Sequence, residues 1–214
     1  STQAKTLFPY TTLFRSDLMA AIPSIVLGLW GAFVFTDVAA GWAKQLHTIF
    51  GWLPIFENTS DNFLRSPFIA GLVVTVMIVP IIASITREIF SQMDRDIINA
   101  SLALGGNRES TLRKVILPTA GGGIVGGVLL GLGRALGETV AILYVLNIVF
   151  DINWYRILES QGGSIASMII SKFGEAGPEE VGGLMAAGVV LFVFTLIINA
   201  LASYIVAKAQ PWRK

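Results

Sequence analysis

Four long apolar blocks separated by polar stretches set the pattern of the chain: residues 18–38, 67–86, 119–150 and 181–207. Each is at least as long as the roughly 20-residue, predominantly apolar stretch that a helix needs to cross the hydrocarbon core of a bilayer. Pro23, Gly28, Gly31 and Pro80 fall inside these blocks. Membrane helices tolerate such residues where neighbours pack closely or re-satisfy the backbone, and Pro80 is expected to kink the second block. The third block carries glycine at 121, 122, 123, 126, 127, 131, 133 and 137, spacing that lets another helix approach to near backbone contact. Residues 39–66 are too polar and broken to span. Trp42, Phe50, Trp52 and Phe56 within them are placed as anchors at the membrane surface. Residues 151–180 form a second loop, with a short amphipathic helix expected over 164–173. The pattern therefore predicts an all-α, polytopic membrane helical bundle.

Composition agrees with the pattern. The chain is 54% hydrophobic and 14% charged, against about 25% charged in soluble domains, and its mean hydropathy is +0.70. A net charge of +1 gives no support to a nucleic-acid partner. With no cysteine and a single histidine, His47, there is no basis for a disulfide, a thiolate metal site or a histidine cluster; His47 reads as an interfacial loop residue. Residues 1–16, STQAKTLFPYTTLFRS, do not fit the pattern that follows. Their run TLFPYTTLFRS reads as translated sequencing-adapter sequence, so this stretch is expected to be foreign to the protein, the alternative being a disordered cytoplasmic tail, and residues 17–214 to form its transmembrane domain.

The one long polar run between two apolar blocks is 87–118. Within it, Asp96 to Leu104 reads as a short amphipathic helix, with Ile97, Ala100 and Leu104 at helical spacing. Gly105-Gly106-Asn107 is a helix stop. Glu109 to Leu117 starts a second helix, and Pro118 either bends it or opens the next. This run holds five Lys or Arg and the C-terminal tail three, against two each in 39–66 and 151–180. Basic residues mark the cytoplasmic side, which puts 87–118 and the C-terminus there.

The run resembles the cytoplasmic loop of permease subunits of bacterial ABC importers, written EAA, three residues, Gly, nine residues, Ile-x-Leu-Pro. Asn99-Ala100-Ser101 stands in the EAA position, Gly105 follows after the required gap, and Val115-Ile116-Leu117-Pro118 closes the pattern. Asn99 replaces the usual Glu, Ser101 an Ala and Val115 an Ile. The resemblance implies that Asp96, Asn99, Ala100, Ser101, Leu104, Gly105, Leu117 and Pro118 belong to a coupling helix and its support, which dock on an ATPase subunit.

The remaining signal lies inside the third block, GLGRALGET at 131–139. On a continuous helix Arg134 and Glu138 lie four apart on one face, with Thr139 beside it. A charge at bilayer depth costs several kcal/mol, about 2.5–3.5 by insertion scales, and marks a pathway or a packing pair. Arginine suits an oxyanion because its planar donors match phosphate or carboxylate and it stays charged. Glu138 either holds Arg134 in place or accepts a hydrogen bond from a protonated phosphate oxygen, which would favour phosphate over fully ionised sulfate. Arg134, Glu138 and Thr139 are the substrate-path candidates. There is no GxxxxGK[ST] phosphate loop for ATP hydrolysis, and no HExxH or GxSxG of an intramembrane enzyme.

GLGRALGET, with IPSIVLGLWGAFVF at 22–35, is similar to the PstC-type permease subunit of the phosphate ABC importer; the PstA type shares the Arg and Glu pattern. The resemblance implies a type I ABC importer permease fold of which four of about six core spans are present, the first two being absent from an N-terminally truncated chain. It implies no cofactor on this chain, with ATP and Mg used by a separate ATPase, and a non-catalytic subunit in a bacterial inner membrane. The partners it implies are a PstA-like second permease subunit, a cytoplasmic ATPase dimer, a periplasmic phosphate-binding protein and membrane lipid. A permease for sulfate or molybdate, and a passive channel or scaffold, are the competing readings.

Overall fold

The computed structural model describes residues 23–149 and 153–209; the stretch 1–16 set apart above lies outside them. All the named elements among the described residues are helical: α1 (Ser24–Phe50), α2 (Pro67–Ser91), α3 (Arg95–Ala103), α4 (Arg108–Leu136), α5 (Val140–Val145), α6 (Ile165–Phe173) and α7 (Pro178–Ala209). Helices α1, α2, α4 and α7 are long and apolar enough to cross a membrane. The all-helical expectation holds.

Helix ends depart from the apolar blocks in instructive ways. The first helix runs on to Phe50, not Val38, because residues 36–50 are amphipathic: Thr36, Ala39 and Ala43 are buried while Trp42 and Ile49 are exposed. The polar stretch 39–66 is thus helix for its first twelve residues. A π-turn at Gly31–Phe35 interrupts α1, and the Thr36 hydroxyl donates to the Gly31 carbonyl at 2.7 Å. Pro80 sits inside a helix that continues to Ser91. At Pro118 the chain neither stops nor restarts. A π-turn over Leu112–Ile116, with the Leu117 N–H donating to the Leu112 carbonyl, takes in Lys114, whose carbonyl the proline ring would otherwise strike.

The described residues form two compact units. The first holds those up to Met77 and those from Ala135 to Phe194. Its core is Ala39, Ile69, Ala70, Val73, Val145 and Leu146. Gly28 and Gly31 set the spacing there: a Cβ on Gly28 would lie 2.6 Å from the Ala141 Cα, and one on Gly31 2.7 Å from Val73 Cγ2. A second cluster, Ala43, Phe63 and Leu158, lies under the two loops. His47 belongs with it, its ring 5.6 Å from Phe63 and its Nδ1 2.9 Å from the Phe56 carbonyl oxygen.

The second unit holds Ile78–Arg134 and the chain from Thr195. Here α2 and α4 pack through a glycine stripe. Cβ atoms on Gly123, Gly127 and Gly131 would meet Ile89, Ile85 and Ile78 at 2.7, 2.9 and 2.6 Å. These glycines recur every fourth residue, one face of a helix, so the isoleucine side chains of α2 lie in a groove with no side chains of its own.

Candidate functional site

The glycine-rich helix α4 has a second face. Cβ atoms on Gly126 and Gly133 would meet nothing within 4 Å. With Arg134, Asn199 and Ser203 they line an open groove of about 750 Å³, walled by Ile81, Leu129 and Leu130. Ile81 lies fourteen residues from the start of α2 and ten from its end, about 21 and 15 Å at 1.5 Å per residue. Ile81 is therefore near the middle of α2. Arg134 is the only charged residue among the described residues that line the groove. Arg134, Asn199 and Ser203 have no hydrogen-bond or ion-pair partner among the described residues. Asn199 and Ser203 are four apart on α7 and share a face.

Helix α4 ends at Leu136, two residues beyond Arg134. This corrects the expectation that 119–150 is one helix with Arg134 and Glu138 on one face. Gly137 opens a turn, and α5 starts at Val140. Glu138 is 7% exposed, and its Oε1 accepts from the Ala141 N–H at 3.2 Å. It satisfies one of the orphan donors at the start of α5. Thr139 is half-buried and donates its hydroxyl to the Gly137 carbonyl at 3.1 Å. Arg134 occupies the last turn of α4, where the carbonyl end of a helix favours a cation. Non-helical backbone at membrane depth is tolerated where it is buried in protein or lines a cavity. The three candidates thus separate: Arg134 lines the groove, while Glu138 and Thr139 shape the break.

The coupling-loop residues form a small, well-capped unit. Asp94 caps α3 by accepting from the Asp96 N–H at 2.9 Å, and Asn107 caps α4 by accepting from the Ser110 N–H at 2.7 Å. Gly105 has φ +84°, a conformation glycine enters without steric cost. Ser101 is half-buried, with its hydroxyl 3.0 Å from that of buried Thr111, so it braces the turn. Asn99 and Ala100 are exposed, Leu104 is 90% exposed, and Leu117 and Pro118 are exposed on α4.

Sequence reasoning missed two features. Asn199 and Ser203 read as isolated polar residues in an apolar span, their i, i+4 spacing the only signal. The second is a clasp between the loops 51–66 and 153–164. Asn58 donates to the Leu158 carbonyl at 2.8 Å, and Ile157 N–H to the Ile55 carbonyl at 3.1 Å. Glu159, 2% exposed, accepts from the Thr59 N–H at 3.0 Å and from its hydroxyl at 3.1 Å. Burial pushes the Glu159 carboxyl up. The Thr59 backbone, the Ser60 and Thr59 side chains and the Arg156 charge together outweigh it and hold the group below its ordinary value. Arg156 Nε also lies 3.2 Å from Glu57 Oε2, an ion-pair contact without hydrogen-bond geometry.

Residues 5–210 match the model of the family described as binding-protein-dependent transport system inner membrane component. The chain belongs to that family. The match begins inside the stretch 1–16. Relatives in this permease family include the phosphate transport system permease protein PstC 2 of Mycobacterium tuberculosis. It is 41% identical over 189 residues, 87% of this chain and 58% of the relative. The PstC proteins of Haemophilus influenzae and Pasteurella multocida are 39% and 36% identical over 197 residues, 91% of this chain and 62% and 61% of theirs. The chain thus spans about three-fifths of the length of these curated relatives. No solved structure gives a significant match.

Proposed function

We propose that the chain is a PstC-type permease subunit that carries inorganic phosphate inward by alternating access, in an importer driven by ATP. The observation that carries this reading is the groove within the apolar blocks where Arg134 is the one charged lining residue among those described, free of any partner among them. An uncompensated cation at that depth costs several kcal/mol and is matched by an oxyanion in transit. The names of the relatives supply the cargo. In this reading a periplasmic binding protein delivers phosphate, and a PstA-like second permease completes the pathway. A cytoplasmic ATPase dimer uses ATP and Mg and drives α3 through the exposed Leu104 and its neighbours. The loop 87–118 and the C-terminus face the cytoplasm of a bacterial inner membrane.

The test is ATP-dependent uptake of labelled phosphate and sulfate by the complex of permeases, ATPase and binding protein in liposomes. Phosphate uptake that Arg134→Gln abolishes without loss of assembly is the expected result. Uptake of sulfate instead changes the cargo, and uptake of neither by an assembled complex defeats the proposal.

A further inference from the structure

We propose that Ser101 and Thr111 are positioning residues. Their hydroxyl pair fastens α3 to the first turn of α4, so that movement imposed on α3 enters α4 and is carried toward Arg134, while the linker from α2 acts as a hinge. The inference rests on the importer reading above and adds the route by which a motor's movement enters the permease.

A hydroxyl on a helix is able to bond a carbonyl three or four residues back on its own helix. Thr48, Thr75 and Thr119 each donate to the carbonyl four back at 2.7–2.9 Å, and Ser91 and Ser110 to the carbonyl three back at 2.8 and 3.0 Å. Ser101 and Thr111 do otherwise. Their hydroxyl oxygens lie 3.0 Å apart across two helices, with Thr111 2% exposed and Ser101 half-buried. The turn between them closes over the pair. Gly106 N–H donates to the Ser101 carbonyl at 3.0 Å, and a Cβ on Gly106 would lie 2.7 Å from that oxygen and 2.9 Å from Ser101 Oγ. The importer loop pattern has alanine, without a hydroxyl, in the place of Ser101, so the tie belongs to this chain and not to the pattern.

The two ends of α3 are held differently. Leu104, the exposed side chain at its C-terminal end, is three residues from Ser101, and its N–H donates to the Ala100 carbonyl at 3.1 Å. A push on Leu104 therefore reaches the tie within one helical turn. From Thr111, α4 runs past Pro118 without a stop to Arg134, a rise of about 34 Å at 1.5 Å per residue. At the other end, the linker from α2 holds nothing across the joint. Ser91 Oγ and Gln92 Nε2 both turn back to Glu88, at 2.8 and 2.7 Å, and Met93 N–H donates to the Phe90 carbonyl at 3.4 Å. Asp94 faces the other way and caps α3.

The experiment uses the complex of both permeases, ATPase and binding protein in liposomes, and follows phosphate uptake and ATP hydrolysis together. Hydroxyl oxygens 3.0 Å apart put cysteine sulfurs at these positions within reach of a disulfide, whose S–S bond is about 2.05 Å. The chain has no cysteine of its own, so closure is followed as loss of the free thiols of this subunit. With Ser101→Cys and Thr111→Cys combined, the closed disulfide should leave uptake as in the reduced complex, since the two helices move as one body. Uptake lost on oxidation and regained on reduction means that α3 moves against α4, and overturns the proposal. In a second arm, Gly-Gly inserted between Met93 and Asp94 should keep uptake. The same insertion between Gly105 and Gly106 should lower it about tenfold or more, with ATP hydrolysis continuing. Equal loss from both insertions, or uptake intact with the second, overturns the proposal as well and leaves the phosphate importer standing. If one arm gives no assembled complex or no disulfide, the other decides. A wild-type complex that takes up no phosphate defeats the importer reading itself.

Discussion

At the scale of single residues, the glycines divide by what surrounds them, and the division is testable. A methyl group at Gly28 would lie 2.6 Å from the Ala141 Cα, a backbone atom unable to swing aside. Gly28→Ala should destabilise the protein by about 1–3 kcal/mol, the usual cost of overpacking, read as a lower melting temperature of the complex in detergent. Gly121, with nothing within 4 Å of a Cβ, should behave oppositely. Gly121→Ala gains about 0.5–1 kcal/mol of helix preference and should not lower the melting temperature. Glu159 is a second single-residue case. Its folded carboxyl lies below the ordinary 4.5, so its contribution is present above that value and is lost as the pH falls through the folded value. Exchange of the Thr59 amide with deuterium, which reports the clasp, should therefore speed up as the pH is lowered beneath 4.5, after correction for the intrinsic rate. Glu159→Gln should exchange faster at neutral pH and lose that pH dependence. Exchange in the wild type with no such dependence would show that Thr59 and Glu159 do not form the latch.

At the scale of elements, what was legible in the sequence is what local chemistry decides. The turn between α3 and α4 was readable because Asp94, Gly105 and Asn107 each do their work within a few residues. The four apolar blocks were readable because a bilayer demands length and little else. The break after Leu136 was not. Gly137 to Thr139 sits in an apolar run, and only the position of Ala141 against Gly28 shows why the helix must end and α5 start there. The extension of α1 to Phe50 was hidden likewise, because its buried stripe of Thr36, Ala39 and Ala43 is too small to register as apolar. Asn199 and Ser203 became a site only through α4, more than sixty residues away in sequence. The element-scale prediction concerns α3. Leu104 is 90% exposed at its end, next to the left-handed Gly105, a projecting apolar side chain on an otherwise polar turn. In the proposed importer Leu104→Asp should reduce co-purification of the ATPase and abolish ATP-dependent uptake, with unchanged insertion of the permease in the membrane. Full coupling in Leu104→Asp would remove α3 from the ATPase interface.

At the scale of the whole molecule, the arrangement depends on which side of the membrane each polar region faces. In the proposed importer all four membrane-length helices cross the bilayer, which is expected to put the loop between α2 and α4 on one side with the end of α7, and the loops 51–66 and 153–164 on the other. The clasp agrees with this, since Asn58, Thr59, Leu158 and Glu159 bond only if their loops emerge on the same side. In the proposed importer the excess of basic residues in 87–118 is expected to put that side in the cytoplasm. Because the chain has no cysteine, one introduced thiol reports its position without background. Glu109, with a side chain 69% exposed, and Trp154, 86% exposed, are suitable reporters for the two sides. In cells stripped of their outer layer, a maleimide that cannot cross membranes should label Trp154→Cys and spare Glu109→Cys. In inside-out vesicles the pattern should reverse. Labelling of both from one side would break the four-span topology, whereas a clean exchange of the two patterns would keep the spans and invert the orientation argued from charge.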